Sequence, residues 1–317
     1  TMSSYTIKQF ADKLMVGQLG ANEIAAQGTA GLLAFIPISL FAGLLPSINT
    51  WTSQHLGSKK PWKGAAYCFN GMWMSLAIWI CVFLPLVFVF PFILSFVHLG
   101  QSDAQALIPL EIEYGSILLA FGGIHLFERC IAQYFFGMHK PIVVTLGTIA
   151  GNVVNVIANY ILIFGESGIP SLGMPGIQGT PALGLTGAAI GTAIGTLVEL
   201  LIPLAFMFSK KSRNKLRVHF FWKPNFTKVK EIIRLGWPKS LQWTNDIVTW
   251  AIFMIVLTGS FGKNSLAAGY IVLGYMHLSF MPALGFNIAV NSLVAKYCGA
   301  NKYDLAQNRC RIGVLIS

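Results

Sequence analysis

The sequence predicts an all-α polytopic membrane protein made of two parallel six-helix lobes, the second incomplete. Three observations predict it: long stretches without a charge, loops that alternate between basic and non-basic, and an internal repeat. Of the residues, 55% are hydrophobic and 10% charged, whereas a soluble domain carries about 25% charged residues. The stretches 64–102, 141–165 and 264–295 contain no Asp, Glu, Lys or Arg. A soluble helix is apolar along one stripe, not on every face for that length.

A helix needs about 20 mostly apolar residues to cross the hydrocarbon of a bilayer. On that measure the chain opens with a partial first helix, to about residue 16. Spans follow over 24–51, 68–97, 104–136, 141–164, 183–209, 229–258 and 264–296, and a further helix starts near 303. The opening run TMSSYTIKQFADKLMVGQLG has no basic start, apolar core and cleavage site in order, and reads as the tail of a helix. The closing NRCRIGVLIS stops as an apolar run begins, so both ends are expected to be cut.

Loop charge orients the spans, because Lys and Arg collect on the cytoplasmic side. Lys59, Lys60 and Lys63 follow the second span, Lys140 the fourth, Lys210 to Lys228 the sixth, and Lys302, Arg309 and Arg311 the eighth. The loops 17–23, 98–103 and 165–185 carry neither residue, and 258–265 carries Lys263 alone. The even loops are therefore cytoplasmic. The net charge of +11 follows from topology and attraction to anionic lipid, and nucleic-acid binding is set aside. The five Cys (Cys68, Cys81, Cys130, Cys298, Cys310) show neither a disulfide framework nor metal-ligand spacing.

Laying 17–60 on 259–302 without a gap matches Gly17 with Gly259, Gly20 with Gly262, Asn22 with Asn264, Gly43 with Gly285, Asn49 with Asn291, Gly57 with Gly299 and Lys60 with Lys302. Both copies start and end on the same membrane sides, so the repeat is parallel and its axis should lie along the membrane normal. The first lobe is expected at 1–209, a basic cytoplasmic linker at 210–228, and a truncated second lobe at 229–317. Gly187, Gly191 and Gly195 share one helix face, a small-residue seam that lets backbones approach. Pro37, Pro46, Pro85, Pro91 and Pro282 lie inside spans and predict bends.

The run from Ala11 to Gly20, with Asp12 in it, followed by Ala25 and Ala26, resembles the end of the first helix of the multidrug and toxic compound extrusion (MATE) family. Phe41 to Leu44 leading to Ser53-Gln54-His55-Leu56-Gly57 is similar to that family's second helix and its exit. Asn155 to Gly165 resembles the fifth helix of its NorM-type branch, Leu183 to Thr192 the start of the sixth, and Leu235-Gly236-Trp237-Pro238 with Asp246 the seventh. The likeness runs in order along essentially the whole chain. It implies two lobes around a central cleft, in a multi-pass protein of the cell (inner) membrane within the MOP superfamily. It also implies export of small organic, often cationic, compounds driven by inward H⁺ or Na⁺, by a monomer that needs no cofactor and is not an enzyme.

An ionisable group in hydrocarbon is retained mainly where it works or is paired. The embedded acids are Asp12, Glu128, Glu199 and Asp246, with Glu111 and Glu113 nearer a helix end. The resemblance places Asp12 and Asp246 at the family's acidic positions, and Asn155, Asn159 and Thr192 at polar positions that line the cavity around the first-helix Asp. Asn155 and Asn159 share a helix face, and carboxylate, amide and hydroxyl oxygens suit either Na⁺ or a proton-binding carboxyl. Relatives carry Asp where Asn159 stands, which implies one fewer negative charge here. Lys8 is one turn before Asp12 on the same face, as a simple ion pair or as a counter-ion to Asp12 in one state. An ammonium there competes with Na⁺ and favours H⁺. Glu128 and Arg129 are expected to pair locally or with other helices, Glu199 has no motif support, and His125 and His277 read as packing residues.

Two other transport classes remain in view. A lipid-linked-oligosaccharide flippase of the same superfamily would need a basic cavity, and deep basic residues are few (Lys8, Lys13, Arg129). A passive channel would not need carboxylates at an exporter's coupling positions. A membrane-embedded enzyme would need a helix-borne catalytic cluster, and the sequence contains no HExxH, GxSxG or paired Asp.

Overall fold

The computed structural model describes residues 2–98, 107–169, 174–209 and 223–316. The side chains of residues 2–7, 9, 263, 277, 278 and 316 lie outside that description, as does most of the expected linker, 210–222. The helices are α1 (Met2–Gly17), α2 (Ala21–Ala42), α3 (Pro46–Gly57), α4 (Trp62–Ile78), α5 (Leu84–Val97), α6 (Ile108–Ala120) and α7 (Gly122–Gly137). They continue with α8 (Pro141–Asn159), α9 (Gly184–Phe208), α10 (Phe226–Ile252), α11 (Lys263–Gly299) and α12 (Tyr303–Ile316). Among the described residues five helical segments are long and apolar enough to cross a membrane, and two bent pairs raise the number to seven. Those seven correspond to the seven full spans read from the sequence.

Breaks within spans are satisfied by neighbouring side chains, as a backbone surrounded by lipid requires. Between α2 and α3 the chain turns at Gly43–Leu45 ahead of Pro46, and the Ser240 hydroxyl on α10 donates to the Leu40 carbonyl. The π-helical turn Trp79–Phe83 joins α4 to α5 just before Pro85, where the proline ring cannot continue regular α-helical bonding. The bend of 43° between α6 and α7 has no proline. It falls at Phe121, before the pair Gly122-Gly123, and the Trp79 indole donates to the Ala120 carbonyl at 2.7 Å.

The internal repeat is visible in the backbone. Gly20 and its mate Gly262 both have positive φ, 149° and 93°, before their helices. Lys59 and its mate Asn301 are both left-handed, at 60° and 56°. The turns close alike: Lys60 N donates to the His55 carbonyl and Lys302 N to the Tyr297 carbonyl, at 2.8 and 3.0 Å. The copies also meet each other. Asn49 accepts from Ser292 at 2.8 Å, while Thr50 pairs with Asn291. A Cβ on Gly57 would strike the Lys296 carbonyl, and one on Gly299 would strike the Gln54 carbonyl. Each residue meets the mate of its neighbour, the reciprocal pattern of a two-fold contact. This crossing of α3 and α11 lies towards the side that the loop charges assign to the cytoplasm.

Near the other side the symmetry breaks. Tyr270 fills the space beside its own mate, Gly28, and its hydroxyl pairs with Thr29 at 3.1 Å.

Candidate functional site

The candidate site is built on α1, α8 and α9. In α8 the usual amphipathic pattern is inverted: Ile142, Leu146, Ile149, Val153 and Ile157 are exposed, while Gly147, Thr148, Gly151, Asn155 and Asn159 are buried. That arrangement is stable where lipid is the outer solvent. The glycines of α9 set how near the buried face comes. A Cβ on Gly191 would occupy the place of the Asn159 amide, and one on Gly195 would strike Asn155. The small-residue seam therefore both packs α9 on α8 and seats the two asparagines.

Asp12 enters this seam from α1 with 8% of its surface exposed. The Asn159 Nδ2 donates to Oδ1 of Asp12 at 2.5 Å, and the Thr192 hydroxyl donates to Oδ2 at 3.5 Å. Asn155 also faces Asp12, without hydrogen-bond geometry. Both polar atoms of its amide, and Oδ1 of Asn159, are buried without a protein partner. The carboxylate is thus surrounded by oxygens suited to a hard cation and by two donors that steady it. Among the described residues no group of three or more His, Cys, Asp or Glu could hold a metal.

Lys8 departs from the sequence reading. The ammonium is 4% exposed and donates to Glu199 Oε1 at 3.1 Å and to the Thr196 hydroxyl at 3.3 Å. Its ion-pair partner is Glu199 of α9 and not Asp12, whose two oxygens are already taken by Asn159 and Thr192. Sequence reasoning missed Thr196 and Glu199 as members of the site, although a signal existed. Gly187, Gly191 and Gly195 recur every four residues, and the next step along that face is Glu199, whose side chain lies against Gly151. Further along are Glu128 and Arg129 of α7, 3.8 Å apart, with Glu128 in electrostatic range of both Lys8 and Glu199. His125 of α7 also feels Lys8 and packs edge-on against Phe35.

Asp246 is not brought to this cluster. It is exposed on α10 and has no hydrogen bond or ion pair among the described residues. Its neighbours Trp243 and Thr244 do face α2, at Phe35 and Ser39. Of the expected site residues, Asp12, Asn155, Asn159 and Thr192 converge, Lys8 lies one turn away, and Asp246 stands apart.

These features define a class: a multi-pass α-helical membrane protein whose parallel repeat carries a buried carboxylate site. The MatE family model matches residues 1–161 and 247–317, most of the chain, and the chain belongs to that family. It is 26% identical over 310 residues to the probable multidrug resistance protein NorM of Agrobacterium fabrum, covering 96% of this chain and 62% of that protein. To the corresponding NorM protein of Shewanella oneidensis it is 27% identical over 321 residues, covering 98% and 64%. The chain thus spans somewhat under two thirds of the length of these curated relatives. The crystal structure of the eukaryotic MATE transporter AtDTX14 superposes with a TM-score of 0.79 at 17% identity, covering 99% of this chain and 66% of that one. At that identity the likeness concerns the fold.

Proposed function

We propose that this chain forms the first lobe (1–209), the linker (210–228) and part of the second lobe (229–317) of a secondary active exporter of small organic, mainly cationic, compounds. Its coupling carboxylate is Asp12. One observation carries the reading: a carboxylate held inside a membrane protein by an amide and a hydroxyl, with further amide oxygens left unsatisfied beside it. A charge in such a place is unfavourable, so uptake of a cation stabilises it and release of the cation destabilises it. A site of this kind shifts a two-state equilibrium by its different affinity for the cation in the two states. Asn155, Asn159 and Thr192 span α8 and α9, so the loaded and empty forms favour different packing of α1 on that pair. The relatives named multidrug resistance proteins supply the cargo class. Asp246 is the second coupling position, on the lobe opposite.

The coupling ion favoured is the proton. Lys8, one turn from Asp12 and in electrostatic range of it, opposes a metal cation there, whereas a proton on Asp12 forms a neutral carboxyl that Lys8 does not repel. The full-length protein in liposomes, loaded with a fluorescent organic cation and given separate H⁺ and Na⁺ gradients, tests the reading. Efflux should follow the H⁺ gradient, and Asp12→Asn should bring it to background while membrane insertion is retained. Undiminished efflux by Asp12→Asn would sink the assignment of Asp12. Efflux that follows Na⁺ alone would sink the choice of ion.

A further inference from the structure

A concavity lies where the start of α10 rests against α3 and α4, with none of the Asp12 cluster in its lining. It has a volume of about 360 Å³ and is lined by His55 at the end of α3, Lys63 and Asn70 of α4, and Lys223, Asn225 and Lys228 at the start of α10. That volume lies within the range of small-ligand sites. Three ammonium groups from two separate stretches of chain thus converge on one space, with Lys60 also in electrostatic range of His55.

The carboxylate beside Lys228 is already engaged. Glu231 accepts from the Tyr67 hydroxyl at 2.5 Å and from Lys228 at 3.0 Å. Lys228 also donates to the Tyr67 hydroxyl at 2.8 Å and sits 4.5 Å above the Tyr67 ring. Lys63 and Lys223 have no ion-pair partner among the described residues. The wall is tied together: Asn225 N donates to Asn70 Oδ1 at 2.6 Å, and the Asn225 side chain caps α10 by accepting from Thr227 N and Lys228 N. The positive end of the α10 dipole faces the same space.

The tendency of lysines to stay on the cytoplasmic side explains why they occur in these loops. It does not explain their convergence on one cavity that no carboxylate lines. Phe226, which follows the lining residue Asn225, is 90% exposed, and Trp62 precedes the lining residue Lys63 at the start of α4. Aromatic rings in such positions mark the level of lipid headgroups.

We propose that this cavity is a binding site for a phosphate group, supplied by an anionic phospholipid of the cytoplasmic leaflet whose chains lie along Phe226. Lys63 and Lys223 are its principal charges, with Lys228 held in place by Tyr67 and Glu231. Because the site joins α3 and α4 to α10, an occupant stabilises the arrangement in which these elements touch, by mass action on the state that binds it. The site is independent of the coupling role of Asp12.

Native mass spectrometry of the detergent-purified full-length protein tests the proposal, with phosphatidylglycerol, phosphatidylcholine and inorganic phosphate as separate probes. Phosphatidylglycerol should bind more tightly than phosphatidylcholine, and Lys63→Gln with Lys223→Gln should weaken it about ten-fold or more. Lys302→Gln with Arg309→Gln, which removes two charges from another cytoplasmic loop, should not. Both substituted lysines are exposed, so an unchanged melting temperature in phosphatidylcholine is the check on folding. Binding of inorganic phosphate that the first double variant abolishes also supports the site and assigns its source to solution. Equal weakening by the two double variants, or no effect of the first on any probe, would overturn it.

Discussion

Asp12 on α1 is 8% exposed and held by Asn159 and Thr192, whereas Asp246 on α10 is exposed and touches no hydrogen-bond partner among the described residues. Both acids lie in apolar helices, and the family resemblance puts both at acidic positions. They differ in what packs beside them. Next to α1 lie α8 and α9, whose facing surfaces are lined with Gly, Thr and Asn. Next to α10, in a chain that holds only part of the second lobe, lie α2 and α4, which meet it at Ser39 and Thr244 and at Tyr67 and Glu231; neither reaches Asp246. At Asp12 the site is made by the polar faces of the neighbouring helices α8 and α9.

The sharpest way to break this comparison is to exchange the two acids for their amides. Asp12→Asn is expected to abolish cation-coupled efflux and also to shift the melting temperature, since it changes the hydrogen bonding of a buried cluster. Asp246→Asn is expected to reduce efflux without moving the melting temperature. A clear shift for Asp246→Asn would show that it has a structural partner after all.

The buried pair beside Asp12 should show the next largest effect. Removing one member leaves the other charge unpaired, so Lys8→Met or Glu199→Gln alone should each cost about 3–5 kcal/mol of stability. The double variant Lys8→Met with Glu199→Leu should recover most of that loss in denaturant or thermal unfolding in detergent. Additive losses in the double variant would mean that the two charges act separately.

Smaller effects are expected where the repeats cross. Gly57→Val or Gly299→Val would push a side chain into the opposing backbone and cost about 1–3 kcal/mol. Thr50→Val combined with Asn291→Leu removes both members of a hydrogen-bonded pair together, at about 0.5–1.5 kcal/mol or less. If Gly57→Val and Gly299→Val differ widely in melting temperature, the crossing is less symmetric than the matching contacts imply.

Much of the fold was legible in the chain. The apolar stretches and the charge alternation foretold the seven full spans, and the match of 17–60 with 259–302 foretold the repeat whose turns at Lys59 and Asn301 share one backbone conformation. The bend at Phe121 was not foretold, because no proline marks it and its freed carbonyl is satisfied by Trp79 from another span. Of the site, Asp12, Asn155, Asn159 and Thr192 were found by resemblance and helix periodicity. Lys8 lies in electrostatic range of Asp12, one turn away, but the carboxylate it contacts directly is Glu199, 191 positions distant, which no spacing along α1 reveals. The glycine period that ends on Glu199 was present, but it was read as packing alone.

The sequence by itself determined which segments are long and apolar enough to leave water and how many there are, because transfer of residues into lipid is a local and nearly additive free energy. Only the tertiary structure decided that Lys8 contacts Glu199, that Asp12 is enclosed by α8 and α9, and that lysines from two distant stretches share one cavity. Those outcomes depend on how each helix is rotated and how near its neighbour comes. Glycines on one helix and asparagines on another settle that jointly, and neither helix settles it alone.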